Sequence, residues 1–123
     1  MKVGMVVAAI VAASTVVAAH SPAMAQDSAP SGNAKAGQQV YRAVGCWQCH
    51  GTQGQGGAVT GPRLATTALP YAAFLQQLRT PANAMPAYEP KILSNADAAN
   101  IYAWLKSLPA AKSAQDIPLL SNN

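Results

Sequence analysis

The chain has 123 residues, half of them hydrophobic and only 10% charged, with a formal net charge of +4 at pH 7. That length leaves room for one domain. The basic residues are scattered along the chain and form no run with interleaved aromatics, so the composition gives no support to nucleic-acid binding.

Lys2 is followed by an apolar run from Val3 to Ala19, and then by HSPAMAQ, with small residues at Ala23 and Ala25. This is the layout of a secretory signal peptide over residues 1–25, with cleavage after Ala25, a mature start at Gln26 and export to the periplasm. The apolar run falls short of the roughly 20 residues that span a bilayer. Retention as an N-terminal membrane anchor is the alternative. Cleavage removes His20 and Met1, Met5 and Met24, which leaves His50 and Met85 as the one histidine and one methionine of the mature chain.

Residues 26–32, QDSAPSG, are small and polar and read as a flexible lead-in to a domain over residues 33–108. The first helix follows Asn33 as N-cap, with Ala36, Val40, Tyr41 and Val44 at helical spacing and Gly45 as the stop. It delivers the chain to CWQCH, residues 46–50. The glycine-rich segment after it, GTQGQGGAVTGPRL, lacks the Gly-Lys-Ser/Thr ending of a phosphate-binding loop and reads as a wrapping loop. Pro70 opens a second helix, with Phe74, Leu75 and Leu78 on its apolar face, and Pro81 ends it. A loop with three prolines then carries Met85 in its middle, stiffened by their fixed φ. Ser94 with Asp97 three residues on announces the last helix, whose buried stripe is Ile101, Trp104, Leu105 and Leu108. Residues 109–123 lack periodicity and form an irregular tail, in which IPLL is apolar enough to lie across the domain. The fold class is all-α, and the packed part, about 75 residues, is small enough to need a disulfide, metal or cofactor to complete its core.

CWQCH admits several chemistries. A Cys46–Cys49 disulfide closes so short a loop that it removes little unfolded-state entropy. A redox dithiol normally follows a strand in an α/β setting, and no strand pattern precedes this one. Tetrahedral zinc wants four ligands, and the mature chain offers two cysteines and one histidine unless a carboxylate joins them. Covalent haem attachment uses both thiols on the vinyl groups and the adjacent histidine on iron, and Cys-x-x-Cys-His is its motif. Export favours this last reading. So does Met85, 35 residues beyond His50 on a stiff loop that could reach the other face of the ring; as a bland alternative it fills a gap in the core.

The chain resembles class I cytochromes c across residues 33–108, on GQQVY, CWQCH, TGPRL, AMPAY and LSNADAANIYAWLKSL. The resemblance implies a small cytochrome c-like fold of three or four helices around one covalently attached haem c, anchored at Cys46 and Cys49. His50 and Met85 would be the iron ligands. It further implies that Gly37 and Tyr41 pack where the first helix crosses the last near Ile101 and Trp104, and that the Pro62 carbonyl accepts a hydrogen bond from the His50 ring. Leu64 and Leu78 would line the haem pocket and Arg79 would partner a propionate, its bland alternative being an exposed helix end. Trp47, between the cysteines, would lie against the haem edge or at a docking face, if it has a role at all.

An iron with both axial positions filled favours electron transfer over catalysis. The expected function is a periplasmic carrier of single electrons, free or as the cytochrome component of a dehydrogenase complex. Its partners would be redox proteins: a dehydrogenase or membrane complex as donor, an oxidase or reductase as acceptor. A haem peroxidase or gas sensor in which Met85 dissociates is the alternative.

Overall fold

The computed structural model describes residues 28–119; the expected signal segment at 1–25 and its cleavage site lie outside them. Four α-helices follow one another: α1 (Ala34–Ala43), α2 (Trp47–His50), α3 (Tyr71–Arg79) and α4 (Asn95–Ser107). Among the described residues no strand occurs, and Gly57 and Gly61 make one isolated bridge. The all-α class is as expected, with four helices.

Local chemistry sets the helix starts. The Asn33 side chain accepts from Ala36 N–H at 2.9 Å, and its own backbone N–H donates to Asn100 Oδ1 at 2.7 Å, so one residue caps α1 and ties it to α4. Ser94 Oγ caps α4 by accepting from Asp97 N–H at 3.0 Å, while its hydroxyl donates to the Asp97 carboxylate at 2.8 Å. Pro70 is the N-cap of α3, one position before the first helical residue, where its missing N–H costs nothing.

The core is centred on the crossing of α1 and α4. A Cβ on Gly37 would lie 1.9 Å from the Asn100 carbonyl oxygen and 2.8 Å from Ile101 N, so only glycine permits the two backbones to approach this closely. One turn further on, the fully buried Tyr41 packs on Trp104 with ring centroids 4.7 Å apart. This is the contact that the resemblance implied. Tyr71, Phe74 and Tyr102 form a second aromatic group between α3 and α4, with Tyr71 and Tyr102 edge to face at 5.4 Å. The Tyr102 hydroxyl donates to Leu69 O at 2.7 Å, and Thr66 N–H donates to Leu105 O at 2.8 Å, which fastens the segment before α3 along α4.

Three details go beyond the sequence reading. The apolar stripe of α1 is only half-buried at Ala36, Val40 and Val44, because Gly37 brings the backbone itself to the interface and leaves Tyr41 as the buried side chain. The lead-in is docked at its end: Ala29 packs against the core, and a Cβ on Gly32 would meet the Ala99 carbonyl at 2.3 Å. In the tail, Ala114–Asp116 is a 3-10 turn capped by Ser113 and Asp116, and Leu119 of IPLL is 91% exposed and does not lie on the domain.

Candidate functional site

The site begins where α1 stops. Val44 closes α1, Gly45 turns the chain with a positive φ, and Cys46 starts the single turn of α2, whose His50 N–H donates to Cys46 O at 3.1 Å. That turn puts Cys46, Cys49 and His50 on one short element while giving each a different environment. Cys46 is half-buried against the core, Cys49 is exposed, and His50 is buried at 7% exposure.

The glycine-rich segment wraps this turn. Gly56 N–H donates to His50 O at 2.8 Å, the Thr60 hydroxyl donates to Cys49 O at 2.8 Å, and the Tyr41 hydroxyl donates to Gly51 O at 2.7 Å. Leu64 and Ala65 N–H both donate to Gly54 O, which closes the wrap on itself. The His50 ring is fixed from two sides. Its Nδ1 is 2.8 Å from the Pro62 carbonyl oxygen, the pairing that the resemblance implied. A Cβ on Gly61 would stand 3.0 Å from both Nδ1 and Cε1 of the ring, so the backbone there lies flush against the imidazole. A carbonyl only accepts, so Nδ1 donates to Pro62 and Nε2 is the ring nitrogen left to meet a ligand.

The Met85 loop closes against the same region. Tyr88 N–H donates to Leu78 O at 2.8 Å, and the Tyr88 hydroxyl reaches Val44 O at 3.1 Å, beside Cys46. Met85, Tyr88, Leu64 and Cys46 are all half-buried against one core cluster that includes the buried Leu78. Gln77 Nε2 lies 3.8 Å from Met85 Sδ. Arg79 is directed elsewhere: its guanidinium donates to Tyr88 O and, at 2.6 Å, to Asn95 Oδ1, binding the loop to the start of α4. The observed partners of Arg79 are thus protein groups. Trp47 is 44% exposed, on the open side of the turn.

Burial, opposed by the hydrogen bond from Tyr88, pushes the Cys46 thiol up to about 11. Burial, with Cys46 beside it, raises the Tyr88 phenol too. A redox dithiol depends on a thiol driven below its ordinary value, and Cys46 is driven the other way. Among the described residues no group of three or more His, Cys, Asp and Glu is gathered in a way that could hold a metal ion by side chains alone. Two thiols on one turn and a buried, oriented imidazole suit a ligand that brings its own metal and forms bonds to sulfur.

The family model described as cytochrome C oxidase, cbb3-type, subunit III matches residues 32–105. The chain belongs to this family of c-type cytochromes. The match runs from the residue before the α1 cap into the last turn of α4, and so covers α1 to α3, the wrap, and all but the last two residues of α4. The small all-α fold is a cytochrome c-like fold. Membership implies haem c with its iron, bound covalently, and Cys46 and Cys49 have the spacing of that attachment motif. It also makes electron transfer the general activity, with redox proteins as the general class of partner. Comparison with curated proteins and with solved structures returned no significant match.

The sequence had pointed to the cysteines, His50, Pro62 and Met85, but not to Gly61, Gln77 and Tyr88. Only the AMPAY resemblance touched Tyr88, as part of a motif. Gly61 within TGPRL was equally visible there, without a reason for its being glycine.

Proposed function

We propose that this cytochrome is a monohaem electron carrier of the periplasm, with thioether anchors at Cys46 and Cys49 and iron ligands at His50 and Met85. The observation that carries the reading is the His50 ring, buried on the turn that bears both cysteines and oriented by the Pro62 carbonyl. That hydrogen bond fixes the tautomer, leaves Nε2 as the coordinating atom and raises its basicity. Haem c supplies reversible one-electron chemistry at iron, and the soft thioether of Met85 favours the ferrous state. Leu64 and Leu78 are proposed as pocket walls, and Arg79 as the clamp that holds the Met85 loop through Tyr88. With His50 and Met85 both holding the iron, little would have to move when the charge changes, and oxygen or peroxide would find no free position.

The periplasmic location rests on the signal-peptide pattern of residues 1–25. The scattered basic residues favour docking by apolar contact near the α2 turn, where Trp47 is exposed, over long-range steering. A dehydrogenase or membrane complex would reduce the protein, and an oxidase or reductase would reoxidise it.

The test is optical and mass-spectrometric. The purified protein should have the mass of a chain starting at Gln26 plus one haem. Its ferric form should show the weak near-infrared sulfur-to-iron charge-transfer band, its ferrous form should resist carbon monoxide, and Met85→Ala should abolish the band and lower the midpoint potential. Rapid carbon monoxide binding at neutral pH would overturn the carrier reading in favour of a peroxidase or gas sensor.

A further inference from the structure

Gln77 is half-buried on α3, two residues before its end, and both ends of its amide face the Met85 loop. Oε1 accepts from Ala82 N–H at 3.4 Å, and Nε2 lies 3.8 Å from Met85 Sδ. The amide orientation follows from its partners: a backbone N–H only donates, so oxygen must face Ala82, and the NH2 group is left to the thioether.

We propose that Gln77 is a positioning residue for Met85, holding the direction of the thioether and withdrawing electron density from sulfur through the donated N–H. The inference rests on the reading of Met85 as an iron ligand. A sulfur that already shares a lone pair with an N–H is a weaker donor, which disfavours ferric iron, and the positive end of the amide dipole acts in the same sense. Gln77 therefore raises the reduction potential. A role in packing alone predicts the opposite sign on replacement, because an apolar side chain in its place makes the surroundings less polar and favours the less charged ferrous state.

The experiment is redox titration of the haem-loaded full chain as wild type, Gln77→Met and Gln77→Asn, with Gln76→Met as control. Gln77→Met keeps an unbranched side chain of similar volume without a donor; Gln77→Asn keeps the amide but is one methylene too short to serve both loop contacts. Gln76 sits beside it on α3 and bonds Thr80 instead. Both Gln77 variants should lower the midpoint potential and move the Met85 methyl proton resonance, while Gln76→Met leaves both in place. If Gln77→Met does not fold with haem, Gln77→Asn decides alone. A potential equal to or above wild type in a variant that retains the charge-transfer band overturns this inference and leaves Met85 as ligand intact. A wild-type protein without that band overturns the ligand reading itself, and this inference with it.

Discussion

Gly37→Ala is the sharpest test of the α1–α4 crossing, because here the general rule and the structure predict opposite signs. Alanine in place of glycine inside a helix ordinarily stabilises by about 0.5 to 1 kcal/mol. At Gly37 the added Cβ would lie 1.9 Å from the Asn100 carbonyl oxygen and 2.4 Å from its carbon, against ordinary contact that begins at 3.4 Å. Both are backbone atoms within α4, so no side chain can swing aside. Relief requires α1 to retreat by about 1.5 Å, which also loosens the Tyr41–Trp104 stack at 4.7 Å and the Asn33–Asn100 tie at 2.7 Å. Overpacking of this kind costs roughly 1 to 3 kcal/mol or more. The loss of one tie adds about 1 kcal/mol, and together these far outweigh the propensity gain. Urea denaturation of the haem-loaded protein, followed by far-ultraviolet circular dichroism, should show a lower midpoint, with the exposed Gln39→Ala as a neutral control. A midpoint for Gly37→Ala at or above wild type would refute the close-crossing argument.

Gly61→Ala should displace the His50 ring, since its Cβ would stand 3.0 Å from two ring atoms and 3.1 Å from Cys49 O; a stability loss of about 1 to 3 kcal/mol and an altered haem absorption spectrum are expected in the purified protein. Tyr88→Phe removes the hydroxyl that reaches Val44 O and should cost about 1 kcal/mol, with faster hydrogen exchange in the Met85 loop as the local readout. Burial raises the Tyr41 phenol above its ordinary value near 10, so at alkaline pH the folded state keeps a proton that the unfolded chain has lost. The stability so contributed is complete below pH 10 and declines as pH rises above it. Tyr41→Phe should be less stable at neutral pH, through loss of the 2.7 Å bond to Gly51 O, and its urea midpoint should fall less steeply with alkaline pH than that of wild type.

The features legible in the sequence are those whose cause is local. Asn33 and Ser94 cap the helices they were expected to cap because a cap needs only its own side chain and an N–H three residues on. The Gly37–Tyr41 contact with α4 and the His50–Pro62 pairing came instead from family resemblance, since no periodicity encodes them. The fully buried Leu93 was missed because it stands alone between a proline loop and a cap, with no stripe to announce it. The wrap over 51–66 was legible only as a loop: its form rests on backbone bonds to His50 O and Gly54 O, which side-chain identity does not specify. The sequence offers Arg79 as a propionate partner or an exposed helix end and is silent on its bond to Tyr88 O, because that partner is a carbonyl nine residues away and any residue at position 88 would supply one.

The Gly37–Asn100 contact also orders the way the chain closes. It joins two helices at the ends of the domain, and almost everything that makes the candidate site lies in the stretch between them. Closing a loop of about 63 residues costs roughly 1.6 kcal/mol more entropy than closing one of about 10, because the cost grows with the logarithm of length. Within that outer loop two closures are short, His50 to Pro62 and Leu78 to Tyr88, and longer ones tie them together, Tyr88 to Val44 and Arg79 to Asn95. The molecule is therefore a clasp at its termini, and the Met85 loop inside it is latched to both arms, to the end of α1 through Tyr88 and to the start of α4 through Arg79.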